Sequence, residues 1–481
     1  MNNNQPQQMK GEDVGFKSSL GLMDATMLVA GSMIGSGIFI VSADIARNTG
    51  SAGWLMAVWL ITGFMTLTAA LSYGELSAMF PKAGGQYIYL REAYNPLVSF
   101  VFGWTFFTVI QTATIAAVGV AFAKFTAYLL PQLDEDVILM DLGFLQLSSA
   151  QLVSIVVILL LTIINTRGVN SGKAVQTSIT VVKIVSLSGL VLFGLFAFNS
   201  EVWQANWLSG DAWNLRRLNV DGSLADYTTF AALGAIAAGM VGAIFSSDSW
   251  HASSSVAGEI KNPSRNVGLS LALGTIIVTI VYLLTNLMYT GVLTMEQMAA
   301  SDKDRVAMTA AQEIFGPVGI TIIAVMIMVS TFGCNNGLIL AGARVYYSMA
   351  QDGLFFKKVG QLNKSAVPGV ALWLQCIIAS LWCLSGKYGD LLDMISSVVV
   401  IFYVLAIIGI FRLRRSRPDV PRPYKAFGYP VLPMIYIFMG IAFIVLMIIY
   451  KPNYTWPGII IALLGIPVYY LIRKKSLPEN T

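Results

Sequence analysis

Charge, histidine and cysteine are all scarce in this chain of 481 residues, and each shortage narrows what it can be. Only 11% of the residues are charged, against roughly a quarter in soluble domains, too few to wet the surface of a water-soluble fold of this size. The single histidine, His251, excludes a histidine-cluster metal centre. Cys334, Cys376 and Cys383 all fall within apolar runs, where neither a disulfide framework nor a thiolate metal site is expected. No metal, cofactor or nucleic-acid partner is expected. The first 20 residues are polar and have no apolar stretch ahead of a small-residue cleavage site, so they read as a cytosolic tail. Strand-length alternating segments are lacking too, which argues against a membrane β-barrel.

What the chain has instead is apolar length. Apolar residues make up 56% of it, mean hydropathy is +0.70, and the runs reach the ~20 residues that cross a hydrocarbon core as a helix. The reading is an all-α integral membrane protein embedded in a lipid bilayer, with 12 transmembrane helices. Spans 1 to 12 fall at 22–47, 53–80, 94–129, 149–166, 173–199, 228–258, 266–292, 316–349, 368–386, 390–412, 430–450 and 455–473. An even number puts both termini on one side. Lysine and arginine crowd that side, at Arg167, Lys173, Lys261, Arg265, Arg344 and the basic stretch Arg412–Lys425, while the opposite side holds Asp134, Glu135, Asp136 and Asp141. The positive-inside rule then makes both termini cytoplasmic in a multi-pass cell-membrane protein. The loop with four prolines after Arg412 needs no role beyond holding this topology.

Two spans are interrupted. Span 1 carries Gly31-Ser32-Met33-Ile34-Gly35-Ser36-Gly37-Ile38-Phe39, and each glycine weakens a helix by roughly 1 kcal/mol relative to alanine. Loosened backbone survives in a bilayer only when buried in protein or lining a cavity. If span 1 unwinds at Ile34–Gly37, the free N–H groups of its second half form an anion site for a carboxylate. The plainer reading is close helix packing through small residues. Span 6 carries Phe245-Ser246-Ser247-Asp248-Ser249-Trp250-His251, and a carboxylate at membrane depth is a functional candidate. Carbonyls freed there could accept bonds from an ammonium group; otherwise the serines satisfy a kink. Broken helices at matching places in two halves point to a transporter site between inverted repeats.

With these motifs on view, the chain resembles the amino acid–polyamine–organocation superfamily, and within it the L-type amino acid transporters and their bacterial relatives. The resemblance covers most of the chain: the span 1 glycines, Tyr73-Gly74-Glu75, Gly84-Gly85, Gly258-Glu259-Ile260-Lys261-Asn262-Pro263, Asn336-Gly337, Arg344 and Arg422-Pro423-Tyr424-Lys425. It implies a 5+5 inverted-repeat core with discontinuous helices 1 and 6 plus two extra helices. The segments are then a tail at 1–21, a first repeat at 22–199, an extracellular loop at 200–227, a second repeat at 228–412, a cytoplasmic loop at 413–429, helices 11 and 12 at 430–473, and a tail at 474–481. By this similarity the substrate carboxylate meets Ser36, Gly37 and Ile38, and the amine meets Ile34 and Phe245. Phe245 is also the aromatic lid, Ser246 borders the same break, and Trp250 closes it.

Lys183 matches a buried lysine of related carriers. Such a lysine at mid-bilayer costs roughly 2.5–3.5 kcal/mol on insertion scales and needs acceptors. By resemblance to sodium-coupled relatives, its ammonium is a fixed cation bracing span 1 near Gly31 and span 8 through Ser330. Cys334 lies four residues after Ser330, on the same helical face and beside the substrate. Asp248 is open to three roles: pairing with a basic substrate side chain, carrying a proton, or accepting bonds from nearby backbone and serines. His251 is expected to be neutral and hydrogen-bonded. Glu75 and Glu259 lie close in sequence to Lys82 and Lys261 and suit a gate or a structural salt bridge, not catalysis. No catalytic residue is expected.

The expected function is sodium-independent exchange of neutral amino acids by alternating access. Proton-coupled symport, with Lys183 losing its proton, and carriage of cationic amino acids or polyamines, motivated by Asp248, are the alternatives. The loop after span 3 has no cysteine, so no disulfide-tethered accessory subunit is expected.

Overall fold

The computed structural model describes residues 18–476, apart from 83, 142–145 and 386–387. Residues 1–17 and 477–481, most of the two expected tails, lie outside the described residues. Long apolar helices dominate. They are α1 (Leu22–Met33), α2 (Gly37–Thr49), α3 (Ala52–Met79), α4 (Gln86–Ala93), α5 (Pro96–Leu129), α6 (Ser149–Thr166), α7 (Val169–Phe196) and α8 (Thr229–Ser246). After these come α9 (Ala252–Ser255), α10 (Pro263–Val292), α11 (Val306–Gln351), α12 (Gly369–Ser385), α13 (Tyr388–Ser416), α14 (Val431–Tyr450) and α15 (Pro452–Ser476). Among the described residues, 10 helices are long and apolar enough to cross a membrane, and α1 with α2 makes 11. The remaining expected span coincides with α12, which is apolar but shorter. The chain is an all-α membrane protein. Its only sheet among the described residues is two small hairpins, Ile138–Asp141 with Gln146–Ser148 and Arg216–Leu218 with Leu224–Asp226.

Local chemistry sets the helix ends. At the start of α5, Asn95 accepts from Val98 N at 3.0 Å and Pro96 occupies the first turn, where its missing N–H costs nothing. Ser148 and Gln151 form a reciprocal capping box at the start of α6. The eighth expected span begins at 316, but α11 extends back to Val306 through a bend at Gly316, whose φ of 68° only glycine adopts readily. Pro317 follows and removes one ladder donor.

Span 1 is broken where its glycines fall. Helices α1 and α2 are separated by Ile34–Ser36 and bent by 43°. Span 6 ends as a regular helix at Ser246, passes through a turn in which Ser249 has φ 64°, and resumes as the single turn α9. The two breaks face each other in the core, and the aromatic and aliphatic residues of α3, α10, α11 and α13 pack around them.

We call the end of the bundle that carries Leu20, Glu75, Glu259 and the 417–430 loop the terminal face. Here Ser19 N and Leu20 N both donate to Glu259 O at 2.9 Å, and Lys261 N donates to Leu20 O at 2.8 Å. The opposite face opens into a cavity of about 340 Å³ whose walls include Val41, Lys124, Val241, Tyr388, Asp393 and Lys451.

Candidate transport site

The break in span 1 exposes carbonyls that a regular helix would use itself, and side chains from three other helices take them. Lys183 on α7, 2% exposed, donates through Nζ to Gly31 O at 2.7 Å and Ile34 O at 2.9 Å. Cys334 on α11 donates through Sγ to Ser32 O at 3.1 Å. Tyr282 on α10 donates through Oη to Met33 O at 2.8 Å, and the same hydroxyl lies 3.0 Å from Ser246 O, at the end of α8. One tyrosine therefore joins both breaks. Satisfying these groups is what lets unwound backbone persist at membrane depth.

The geometry corrects the expected partner of Lys183. The ammonium braces span 1 at Gly31 and also at Ile34, but it makes no bond to Ser330, whose buried Oγ has no hydrogen-bond partner. Two carbonyls of the unwound segment are nearer than a hydroxyl on α11, and they carry the stronger acceptor dipoles. Cys334 packs against Gly35 of the unwound segment, where a Cβ would lie 2.8 Å from Sγ.

Beyond the break, Ser36, Gly37 and Ile38 form the start of α2, where the first N–H groups have no partner four residues back. Such donors, with the positive end of the helix behind them, favour negative charge nearby. Ser36 Oγ shares a 3.0 Å hydrogen bond with Tyr388 Oη at the start of α13. The Phe245 ring meets Tyr388 edge-on, with centroids 6.0 Å apart and planes at 82°, and the Lys124 ammonium lies 5.7 Å from the other ring's centroid, that of Tyr388. Tyr388 thus separates the break from the cavity on the opposite face. Ile34 O, expected to meet a substrate amine, already accepts from Lys183 and keeps one lone pair. Ser246 Oγ turns back to Gly242 O at 2.7 Å, so its contribution to the site is its carbonyl and its contact with Gly37.

Asp248 and His251 both sit among tyrosine and tryptophan rings. Tyr403 Oη on α13, not a serine, donates to Asp248 Oδ1. His251 is buried with no partner for Nδ1 and stacks its edge on Trp250 and Tyr403 instead of being hydrogen-bonded there. Trp250 also packs edge-to-face on Tyr73 at 4.7 Å. These rings form an aromatic layer between the span 6 break and Tyr73 of α3.

Below it lies a layer of ion pairs. Glu75 is held by Arg414 through two bonds, at 3.0 and 2.7 Å, and by Ala426 N at 2.7 Å, with Arg422 at 3.5 Å. Glu259 pairs with Arg344 at 3.0 Å, both fully or nearly fully buried. Arg91 pairs with Asp352, which also accepts from Tyr87 Oη at 2.8 Å. The partners are therefore not the lysines adjacent in sequence but arginines from α11 and from the basic stretch ending α13, whose loop also caps Glu75 through Ala426 N. Sequence reasoning missed Tyr282, Tyr388 and Tyr403, because one tyrosine in an apolar helix carries no local signal of what its hydroxyl meets.

Broken helices facing across a core, unwound carbonyls held by buried donors, and the vestibule at the opposite face define a carrier of the broken-helix type, not an enzyme. The chain belongs to the amino acid permease family, whose model matches residues 20–470. It is 28% identical over 471 residues to the serine/threonine exchanger SteT of Bacillus subtilis (strain 168), covering 97% of this chain and 100% of that one. It is 27% identical over 462 residues to the human large neutral amino acids transporter small subunit 2, covering 96% of this chain and 81% of that protein. To the mouse b(0,+)-type amino acid transporter 1 it is 26% identical over 460 residues, covering 95% and 88%.

Proposed function

We propose that the chain exchanges neutral amino acids across the cell membrane by alternating access, without sodium. The observation that carries this reading is Lys183, which places a positive charge on Gly31 O and Ile34 O. Those are the kind of carbonyls at which broken-helix carriers hold a coupling cation. A tethered ammonium fills that role permanently, so no ion has to travel with the substrate. The α-carboxylate docks on the start of α2, at Ser36, Gly37 and Ile38. The α-amine docks on Ile34 O and the carbonyls ending α8, with Phe245 over it. The names of SteT and of the large neutral amino acids transporter point to the same substrate class and to exchange.

In this reading the core is a 5+5 inverted repeat, and the terminal face is cytoplasmic. The ion pairs of Glu75, Glu259 and Asp352 close the inner path while the vestibule is open outwards. Release inwards needs these pairs and the Trp250 layer to part. No disulfide-tethered subunit belongs to this reading, because the loop after span 3 has no cysteine.

The test is counterflow with the purified protein in liposomes. Labelled alanine or serine should enter only against an unlabelled amino acid inside, with the same rate in sodium and in choline buffer. Uptake into empty vesicles driven by an inward proton gradient would replace exchange with proton symport, and a sodium requirement would remove the role given to Lys183.

A further inference from the structure

We infer that Tyr403 is a specificity-determining residue: by occupying Asp248 it keeps cationic amino acids out of the site. This rests on reading the chain as a carrier of neutral amino acids. Asp248 is the only acid in the broken segment between α8 and α9. It is 8% exposed, and among the described residues no lysine or arginine forms an ion pair with it. A buried carboxylate needs a donor or an opposing charge. In a binding site, the charge can arrive with the substrate, as an ammonium or guanidinium on its side chain.

Here the donor is already present. Tyr403 reaches from α13 and gives its hydroxyl hydrogen to Asp248 Oδ1. The ring is fixed on several sides, with centroid distances of 5.2 Å to Trp250, 5.6 Å to His251 and 6.2 Å to Tyr73. Swinging it aside would disturb the whole aromatic layer. The titratable groups around the carboxylate are His251, Tyr73, Tyr403, Tyr436 and Cys334, none of them a permanent cation. A basic side chain therefore meets a carboxylate whose Oδ1 already accepts from Tyr403, so it pairs only with the acceptor sites that the hydroxyl leaves, and that weaker pairing repays less of its desolvation. Neutral side chains bear no such penalty, and selectivity is the difference between the two.

Replacing Tyr403 by phenylalanine removes one oxygen and little else. Oδ1 of Asp248 then lacks its donor, and a cationic side chain supplies what is missing. The experiment uses liposomes loaded with unlabelled alanine and compares uptake of labelled alanine and labelled arginine by the wild type, Tyr403→Phe, and Tyr403→Phe combined with Asp248→Asn. The wild type should take up alanine and exclude arginine. Tyr403→Phe should raise the arginine-to-alanine ratio by on the order of tenfold or more, the scale of one hydrogen bond to a charged group. The added Asp248→Asn should return the ratio to the wild-type value. Arginine should also raise the melting temperature of purified Tyr403→Phe and not that of the wild type, which reads binding independently of turnover.

A wild type that takes up arginine as readily as alanine overturns the inference. So does a Tyr403→Phe variant that exchanges alanine yet still excludes arginine, and so does a gain that survives Asp248→Asn. A wild type that exchanges no neutral amino acid at all overturns the underlying assignment of substrate class, not the role of Tyr403 alone.

Discussion

A methyl group on Gly37 would lie 1.9 Å from Ser246 Oγ and 2.6 Å from its Cβ, so the two broken helices touch at a point with no room for a side chain. The contact joins the proposed carboxylate site to the end of α8. Gly37→Ala should therefore force the breaks apart, at the ~1–3 kcal/mol of an overpacked core, and exchange should fall far below wild type at equal protein level. Ser246→Gly added to Gly37→Ala should recover much of it. Normal exchange by Gly37→Ala would show that the breaks are not in contact in the working protein.

Tyr282 makes a second, separable link between the breaks. Tyr282→Phe removes the single hydroxyl hydrogen that lies between Met33 O and Ser246 O, both buried, and losing that donor costs about 1–3 kcal/mol. The variant should melt several degrees lower and exchange slowly. Because the hydroxyl serves both helices, Tyr282→Phe should hurt turnover more than Tyr289→Phe, whose hydroxyl lies 3.4 Å from Ile38 O only. Equal effects of the two would remove any special role for the double link.

The pair Arg344–Glu259 has essentially no solvent contact, with side-chain exposures of 0% and 3%. Arg344→Met should leave Glu259 as a buried unpaired charge and destabilise the protein by about 3–5 kcal/mol, and Glu259→Gln in the same chain should restore part of that loss. Thermal unfolding in detergent reads both. A double variant no better than Arg344→Met would contradict the pairing.

At the opposite face, Lys303 binds Asp134 and Asp136. Partial burial is the largest single influence on the Asp134 carboxyl and pushes it up, but the Lys303 ammonium and the backbone N–H groups of Asp136 and Glu135 together outweigh it, so it lies below its ordinary value. For Lys303, burial acts downward and its two acid partners outweigh it, so it lies above its ordinary value. The contribution of the depressed Asp134 is present above the ordinary carboxyl value near pH 4 and is lost as pH falls through the folded value. That of the raised Lys303 is present below about pH 10 and is lost above it. Between about pH 5 and 9 neither titrates. The melting-temperature difference between the wild type and Lys303→Gln should be the same at pH 5.5 and pH 8.5 and shrink only in acid or above about pH 10. A difference that changes within that window would place another titrating group in the clamp.

Much of this arrangement could be read in advance because the bilayer makes local sequence informative. Gly31, Gly35 and Gly37 mark a weak helix, and Ser246–Ser249 mark a polar stretch where polarity is costly, so both breaks appear in the sequence and in the structure. Lys183 stands out for the same reason. The partners of these groups were not legible. Ser330 shares a helical face with Cys334, but which of them meets Lys183 or the span 1 carbonyls depends on the packing of α7 against α11. Glu75 and Arg414 are remote in sequence and meet only after α3 and α13 cross. Tyr282, Tyr388 and Tyr403 sit in ordinary apolar helices, and their hydroxyls acquire a role only from what the fold places 3 Å away.

The central claim, that Lys183 acts as a fixed cation which makes exchange independent of sodium, is tested most directly by counterflow with Lys183→Ala. Labelled serine uptake into serine-loaded liposomes should be abolished, or become dependent on an added cation, while the variant remains folded by size-exclusion profile. Wild-type rate and unchanged exchange stoichiometry in Lys183→Ala would contradict the account.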